Sequence, residues 1–185
     1  MDFNQLHRNI LNDTRIELTE EFDRNFERKA FFDQMWPNVK LITRRGSVMA
    51  RSNNLRRGYR SRIEGEKIAF SNSLPYASIH NEGGEVKVTQ KMKKYFWAMY
   101  YQATGSQRHN VRRTASNSAR NQRLSIEAQQ WKSLALMPIG KIIKIPSRRV
   151  IGPHPKIQEI ITDVVNDNLS DLNAIVIDRL RQNLR

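Results

Sequence analysis

The sequence predicts an α+β protein, a small antiparallel sheet packed with N-terminal, central and long C-terminal helices. Three observations carry this. Apolar residues recur at three- and four-residue steps near both ends of the chain, the period drops to two between Tyr59 and Phe70, and aromatic residues return to helical spacing after Thr89. A length of 185 residues fits one domain with a modest core, so residues 1–185 are read as a single unit.

Phe3, Leu6, Ile10, Thr14, Leu18, Phe22 and Phe26 line one side of a helix expected to run to about Phe32, with charges on the other side. Trp36-Pro37 marks a stop, because a residue before proline is pushed out of the helical region. Residues 43–54 are polar, hold Arg44, Arg45, Gly46 and Arg51, and read as a loop. Tyr59, Ser61 and Ile63 then alternate with Arg60 and Arg62, and after Glu64-Gly65-Glu66 the alternation resumes at Ile68 and Phe70, which predicts a β-hairpin with one basic, solvated face. Pro75 and Gly83-Gly84 bound a further extended piece, and Lys141–Ile145 supplies another. A sheet of three or four antiparallel strands follows.

Met92, Tyr95, Phe96, Met99, Tyr100 and Ala103 predict a helix capped by Thr89. Residues 104–123 contain almost nothing apolar and read as a basic insertion that does not order itself. A short helix is expected from Ser125 to about Leu134. After Gly152-Pro153-His154-Pro155, with Pro155 suited to a first helical turn, an apolar stripe runs from Ile157 through Val164, Leu172 and Leu180. Unbroken, this helix extends ~45 Å. Asn168 and Ser170 are the expected points of interruption.

The net charge of +14 is segregated. Residues 1–43 hold six basic and eight acidic side chains, and 150–185 hold four and five, whereas 86–149 hold fourteen basic side chains against Glu127 alone. Such segregation points to an anionic partner, since a merely soluble surface intersperses its signs. The candidate contacts with nucleic acid or an acidic protein are Arg108, Arg112, Arg113, Arg120 and Arg123 of the insertion, with Arg56, Arg57, Arg60 and Arg62 at the hairpin. No base-reading motif is recognisable, so phosphate contact without sequence specificity is expected.

Cysteine is absent, which excludes disulfides and cysteine-ligand metal sites. The start of the chain lacks the basic and apolar regions of a signal peptide, and no apolar run approaches the ~20 residues that span a bilayer, so a soluble protein with no membrane partner is expected. His80 beside Asn81 and Glu82 invites an endonuclease reading, but His7, His109 and His154 form no ligand spacing with it. A structural His80 is expected, with no enzyme activity, cofactor or metal. The aromatic residues after Thr89 are read mainly as packing, with Trp97 and Tyr101, off the main stripe, as interface residues. Gly83, Gly84 and Gly152 read as turn positions, and Pro146 as the bend that ends a strand. Arg148 reads either as a solvated turn residue or as one that pairs with an acid across a subunit boundary.

Leu74-Pro75-Tyr76-Ala77-Ser78-Ile79-His80-Asn81-Glu82-Gly83-Gly84 and Lys144-Ile145-Pro146-Ser147-Arg148-Arg149-Val150-Ile151-Gly152-Pro153 together resemble the tail completion, or virion morphogenesis, proteins of Mu-like contractile-tailed bacteriophages. In that family a Tyr-Ala-x-x-His-x-x-Gly segment precedes an Ile-Pro-x-Arg-x-x-Gly segment leading into the last helix. Trp36-Pro37, Asn54-Leu55-Arg56 and Val88-Thr89-Gln90-Lys91-Met92 extend the resemblance to about three quarters of the chain. Val150, where an aromatic residue or leucine is usual, and the insertion at 104–123 depart from it. The resemblance implies a structural virion protein of the head–tail joining (neck, or connector) region, assembled in the host cytoplasm. It also implies a hexameric ring around the DNA passage and contacts with other neck, tail-terminator or connector proteins. Tyr76, Ala77, His80, Gly83, Gly84, Pro146, Arg148 and Gly152 are its motif residues, read as structural or interface positions. The alternative is a phage accessory protein that binds nucleic acid.

Overall fold

A computed structural model describes residues 3–39, 49–107 and 118–183. The fold is α+β. The first helix, α1 (Phe3–Arg28), buries Leu6, Thr14, Leu18, Phe22 and Phe26, as its spacing predicts. It stops short of Phe32 because Lys29 takes a left-handed conformation, φ 55°. Ala30–Phe31 (β1) then pairs with Gln34–Met35 (β2) across a tight turn in which Phe32 is also left-handed, φ 54°. The return buries Ala30, Phe31 and Phe32, a gain that outweighs continuing a helix that would place Phe31 on the side opposite Phe22 and Phe26.

A short helix, α2 (Asn54–Gly58), leads into the hairpin of β3 (Tyr59–Glu64) and β4 (Lys67–Asn72). Its register pairs Tyr59 with Asn72 and Glu64 with Lys67, and Arg60 and Arg62 lie exposed on the solvated face as expected. Pro75–Gly84 departs from expectation. Ala77–Glu82 is a helix, α3, entered through a turn in which Ala77 N donates to Leu74 O. Four alternating residues do not separate a period of two from one of 3.6, and only Ala77 in this piece is buried. The strand that follows is β5 (Gly84–Lys87), which pairs with β6 (Ile142–Ile145) in the register Gly84 to Ile145. The expected single sheet is therefore three separate two-stranded antiparallel ladders among the described residues.

Between β5 and β6 lie α4 (Gln90–Gly105) and α5 (Ala119–Ala135), which pack chiefly on each other. Thr89 Oγ1 caps α4 by accepting from Met92 N at 3.2 Å, and Ser118 Oγ caps α5 by accepting from Asn121 N at 3.2 Å. The second helix thus starts earlier than expected. Residues 119–123 of the proposed insertion are helical, with Asn121 and Leu124 buried; Arg108, Arg112 and Arg113 lie outside the described residues. This helical arm has its own core of Phe96, Trp131 and Ala135.

The last helix, α6 (Pro155–Asn183), runs unbroken. Asn168 bonds Val164 O and Asp13 Oδ2, both at 3.0 Å, so it ties α6 to α1 rather than interrupting it. Ile157 and Ile160 lie against Leu18 and Phe22 while Asn168 meets Asp13, which makes the two helices antiparallel. No described helix is long and apolar enough to cross a membrane.

Candidate functional site

Residues 74–84 and 144–153 meet in space and form a junction. Arg148 N donates to His80 O at 2.8 Å, and Ser147 Oγ donates to Asn81 O at 2.7 Å. The Asn81 side chain then takes both edges of the next turn: its Oδ1 accepts from Val150 N at 2.7 Å and Ile151 N at 3.1 Å, and its Nδ2 donates to Ile151 O at 2.9 Å. From the other side, fully buried Asn25 on α1 donates to Val150 O at 3.0 Å and accepts from Phe32 N at 2.9 Å. Trp36 Nε1 donates to Arg149 O at 2.7 Å. Segment 147–151 has no ladder partner, so these side chains satisfy the backbone groups it buries.

The motif residues take distinct places around this segment. Ala77 is buried, and Tyr76 is partly exposed with its ring edge-on to His80 at 5.9 Å. Gly83 sits at φ +77°, and a Cβ there would stand 2.8 Å from Ser147 N and 3.0 Å from Ile145 O, so the close backbone approach needs glycine. The nearest group a Cβ on Gly152 would meet is the flexible Arg149 side chain, at 2.8 Å. Gly84, at φ +156°, opens β5, and Pro146 is exposed just past β6.

Arg148 is not the solvated turn residue of one sequence reading. Its guanidinium is buried, with Nε donating to Pro37 O at 3.1 Å and Nη2 to Asn38 O at 3.4 Å. Desolvation lowers its pKa from the ordinary arginine value. His80 lies against this charge. Burial first, and Arg148 second, lower the imidazole pKa, and His80 Nδ1 is buried with no hydrogen-bond partner among the described residues.

The basic residues divide into engaged and open ones. Arg56 forms ion pairs with Asp23 and Glu27, which raises its pKa and leaves it poorly placed to meet a phosphate. Arg62 pairs with Glu64, and Arg60 donates to the carbonyls of Arg57 and Tyr59. Arg57 is exposed. On α5, Arg120 and Arg123 are exposed, whereas Glu127, the one acid of residues 86–149, is buried and accepts from Trp131 Nε1 at 3.4 Å. The described surface of the arm therefore carries cationic charge alone.

Beside the junction lies an open cavity of about 510 Å³, floored by Phe22, Phe26, Tyr59, Phe70 and Val150 and rimmed by charges including Asp23, Arg24 and Arg57. Burial pushes the Tyr59 hydroxyl pKa up to about 12. Among the described residues no group of three or more His, Cys, Asp or Glu side chains is placed to hold a metal ion. Sequence reasoning missed Asn25 and Asn81. The signal for Asn25 was a polar residue between Phe22 and Phe26 on the buried stripe, while Asn81, beside His80, was read only as a neighbour.

No protein-family model, curated protein or solved structure matches this chain.

Proposed function

We propose that this protein is a structural component of a bacteriophage particle. It acts in the head–tail joining region, where it completes the tail and enables head attachment as a ring around the DNA passage. The observation that carries this reading is the junction: the two segments bearing the family resemblance, far apart in sequence, interlock through His80, Asn81, Ser147 and Arg148. Motif matches of chance origin have no reason to meet. The function then lies in interfaces rather than in catalysis, with copies of the chain and other neck, tail-terminator or connector proteins as partners. Its place is the virion, reached by assembly in the host cytoplasm.

The cationic arm favours one second reading, an accessory protein that binds nucleic acid, because an unmixed positive surface attracts phosphate. One experiment separates the two. Particles from a deletion strain should contain filled heads and finished tails that fail to join, seen by electron microscopy. Normally joined, infectious particles would remove the neck reading and leave the second.

A further inference from the structure

The outer side of α4 carries charge and flat rings together. Lys94, Trp97 and Tyr101 succeed one another at helical steps, so they share one side of the helix, and Phe96 and Ala103, buried against α5, lie on the opposite side. The Trp97 and Tyr101 rings stack at 6.0 Å and 27°, and Tyr101 remains 64% exposed. Lys91 and Lys94 are exposed as well, and α4 contains no acidic residue. Arg120 and Arg123 add exposed positive charge on α5 of the same arm.

Anionic partners of different kinds meet such a face differently. An acidic protein surface satisfies the lysines, but its carboxylates are repelled by the negative face of an aromatic ring. An anionic bilayer takes up a helix through an apolar stripe, whereas the exposed large apolar residues of α4 are Tyr95 and Tyr101, each with a polar tip. Duplex DNA satisfies the lysines and keeps its bases stacked on one another, out of reach of the rings. A single strand satisfies both parts, because its phosphates take the lysines while its unpaired bases stack on the rings. We propose that the outer side of α4 binds single-stranded nucleic acid: a base stacks on Tyr101, backed by Trp97, and neighbouring phosphates meet Lys91 and Lys94. Stacking and charge are indifferent to base identity, so little sequence preference follows. The inference rests on the nucleic-acid reading raised above, to which it assigns a strand type and a surface, and it is independent of the ring.

Fluorescence anisotropy of the full chain with three labelled oligomers tests this: an oligothymidylate of about 12 nucleotides, an abasic oligomer of the same length, and a hairpin duplex. The abasic oligomer keeps the phosphates and removes the rings. The oligothymidylate should bind about tenfold more tightly than the abasic oligomer. Tyr101→Ala should erase that advantage while changing abasic and duplex binding by no more than about twofold, and Tyr101→Phe, which keeps the ring, should bind as the parent does. Tyr101 lies outside the core of the arm, so its replacement leaves the fold intact. Lys94→Gln should weaken binding of all three oligomers and lower the salt slope for the oligothymidylate by about 0.7. Equal affinities for oligothymidylate and abasic oligomer, or an unchanged oligothymidylate affinity in Tyr101→Ala, overturn the stacking surface and leave the nucleic-acid reading standing as phosphate contact alone. Binding to none of the three removes both. Polyglutamate bound as tightly as the oligothymidylate also overturns the proposal and gives the face to an acidic protein.

Discussion

The junction around Val150 and the α4–α5 arm are both well packed, yet they are held together in opposite ways. At the junction, side-chain amides reach backbone groups far away in sequence: Asn25 reaches Val150, Asn81 reaches Val150 and Ile151, and Trp36 reaches Arg149. In the arm, Phe96 and Trp131 stack at 6.0 Å and 27° within one helical hairpin, and its helices are capped by their own Thr89 and Ser118. The first arrangement exists only when the whole body is folded, because loop closure is spent before any contact forms. The second is local, which lets the arm open while the body stays intact. Charge follows the same division: the body pairs ions, as at Arg56 with Asp23 and Glu27, and the described part of the arm exposes cations such as Arg120 and Arg123.

The largest effect should come from Asn25→Ala. It strips the partners from Val150 O and Phe32 N in a site with no access to water, and an orphaned buried polar group costs about 1–3 kcal/mol. A combined loss of about 4 kcal/mol is expected, read as a lower urea midpoint with an unchanged denaturant slope. A loss under about 1 kcal/mol would show that the junction does not hold the body together.

Trp131→Ala should cost about 3 kcal/mol, but locally. Amide exchange should accelerate through α4 and α5 while protection persists in the packed parts of α1 and α6. Simultaneous loss of protection in α1 and α6 would break the contrast, since the arm would then fold as one unit with the body.

How legible each region was follows from the same physics. The arm was largely readable because local spacing and caps determine it: Met92, Phe96, Met99 and Ala103 show a helical period, and Thr89 caps where expected. Its second helix was read short, because Ala119–Arg123 is polar and the buried Asn121 gives no apolar signal. The hairpin at Tyr59–Asn72 was equally readable from its alternation. The junction was not. Its two segments were singled out through a resemblance, but the roles of Asn25 and Asn81 depend on which distant carbonyls arrive beside them, and no local pattern encodes that. The same holds for Arg148, whose partners at Pro37 and Asn38 turn a turn arginine into a buried one.

The smallest expected effect is a pH dependence centred on His80. Its folded-state pKa lies below the ordinary value of 6.5, chiefly through burial and secondarily through Arg148, so the unfolded chain takes up the proton first as pH falls. The sign is therefore fixed: this residue's contribution is full above about pH 6.5 and declines below it, until the folded state protonates as well. The unpaired Nδ1 gives the reason, since a proton placed there adds charge beside a buried guanidinium with no acceptor to receive it. His80→Leu isolates the ring, because the bond from Arg148 N uses the His80 carbonyl, which the substitution keeps. Urea midpoints taken from about pH 7.5 to about pH 5.5 should fall less steeply in His80→Leu than in the parent protein. Equal slopes in the two proteins would mean that the imidazole is free to protonate in the folded state. The junction would then be more open around α3 than its hydrogen bonds require.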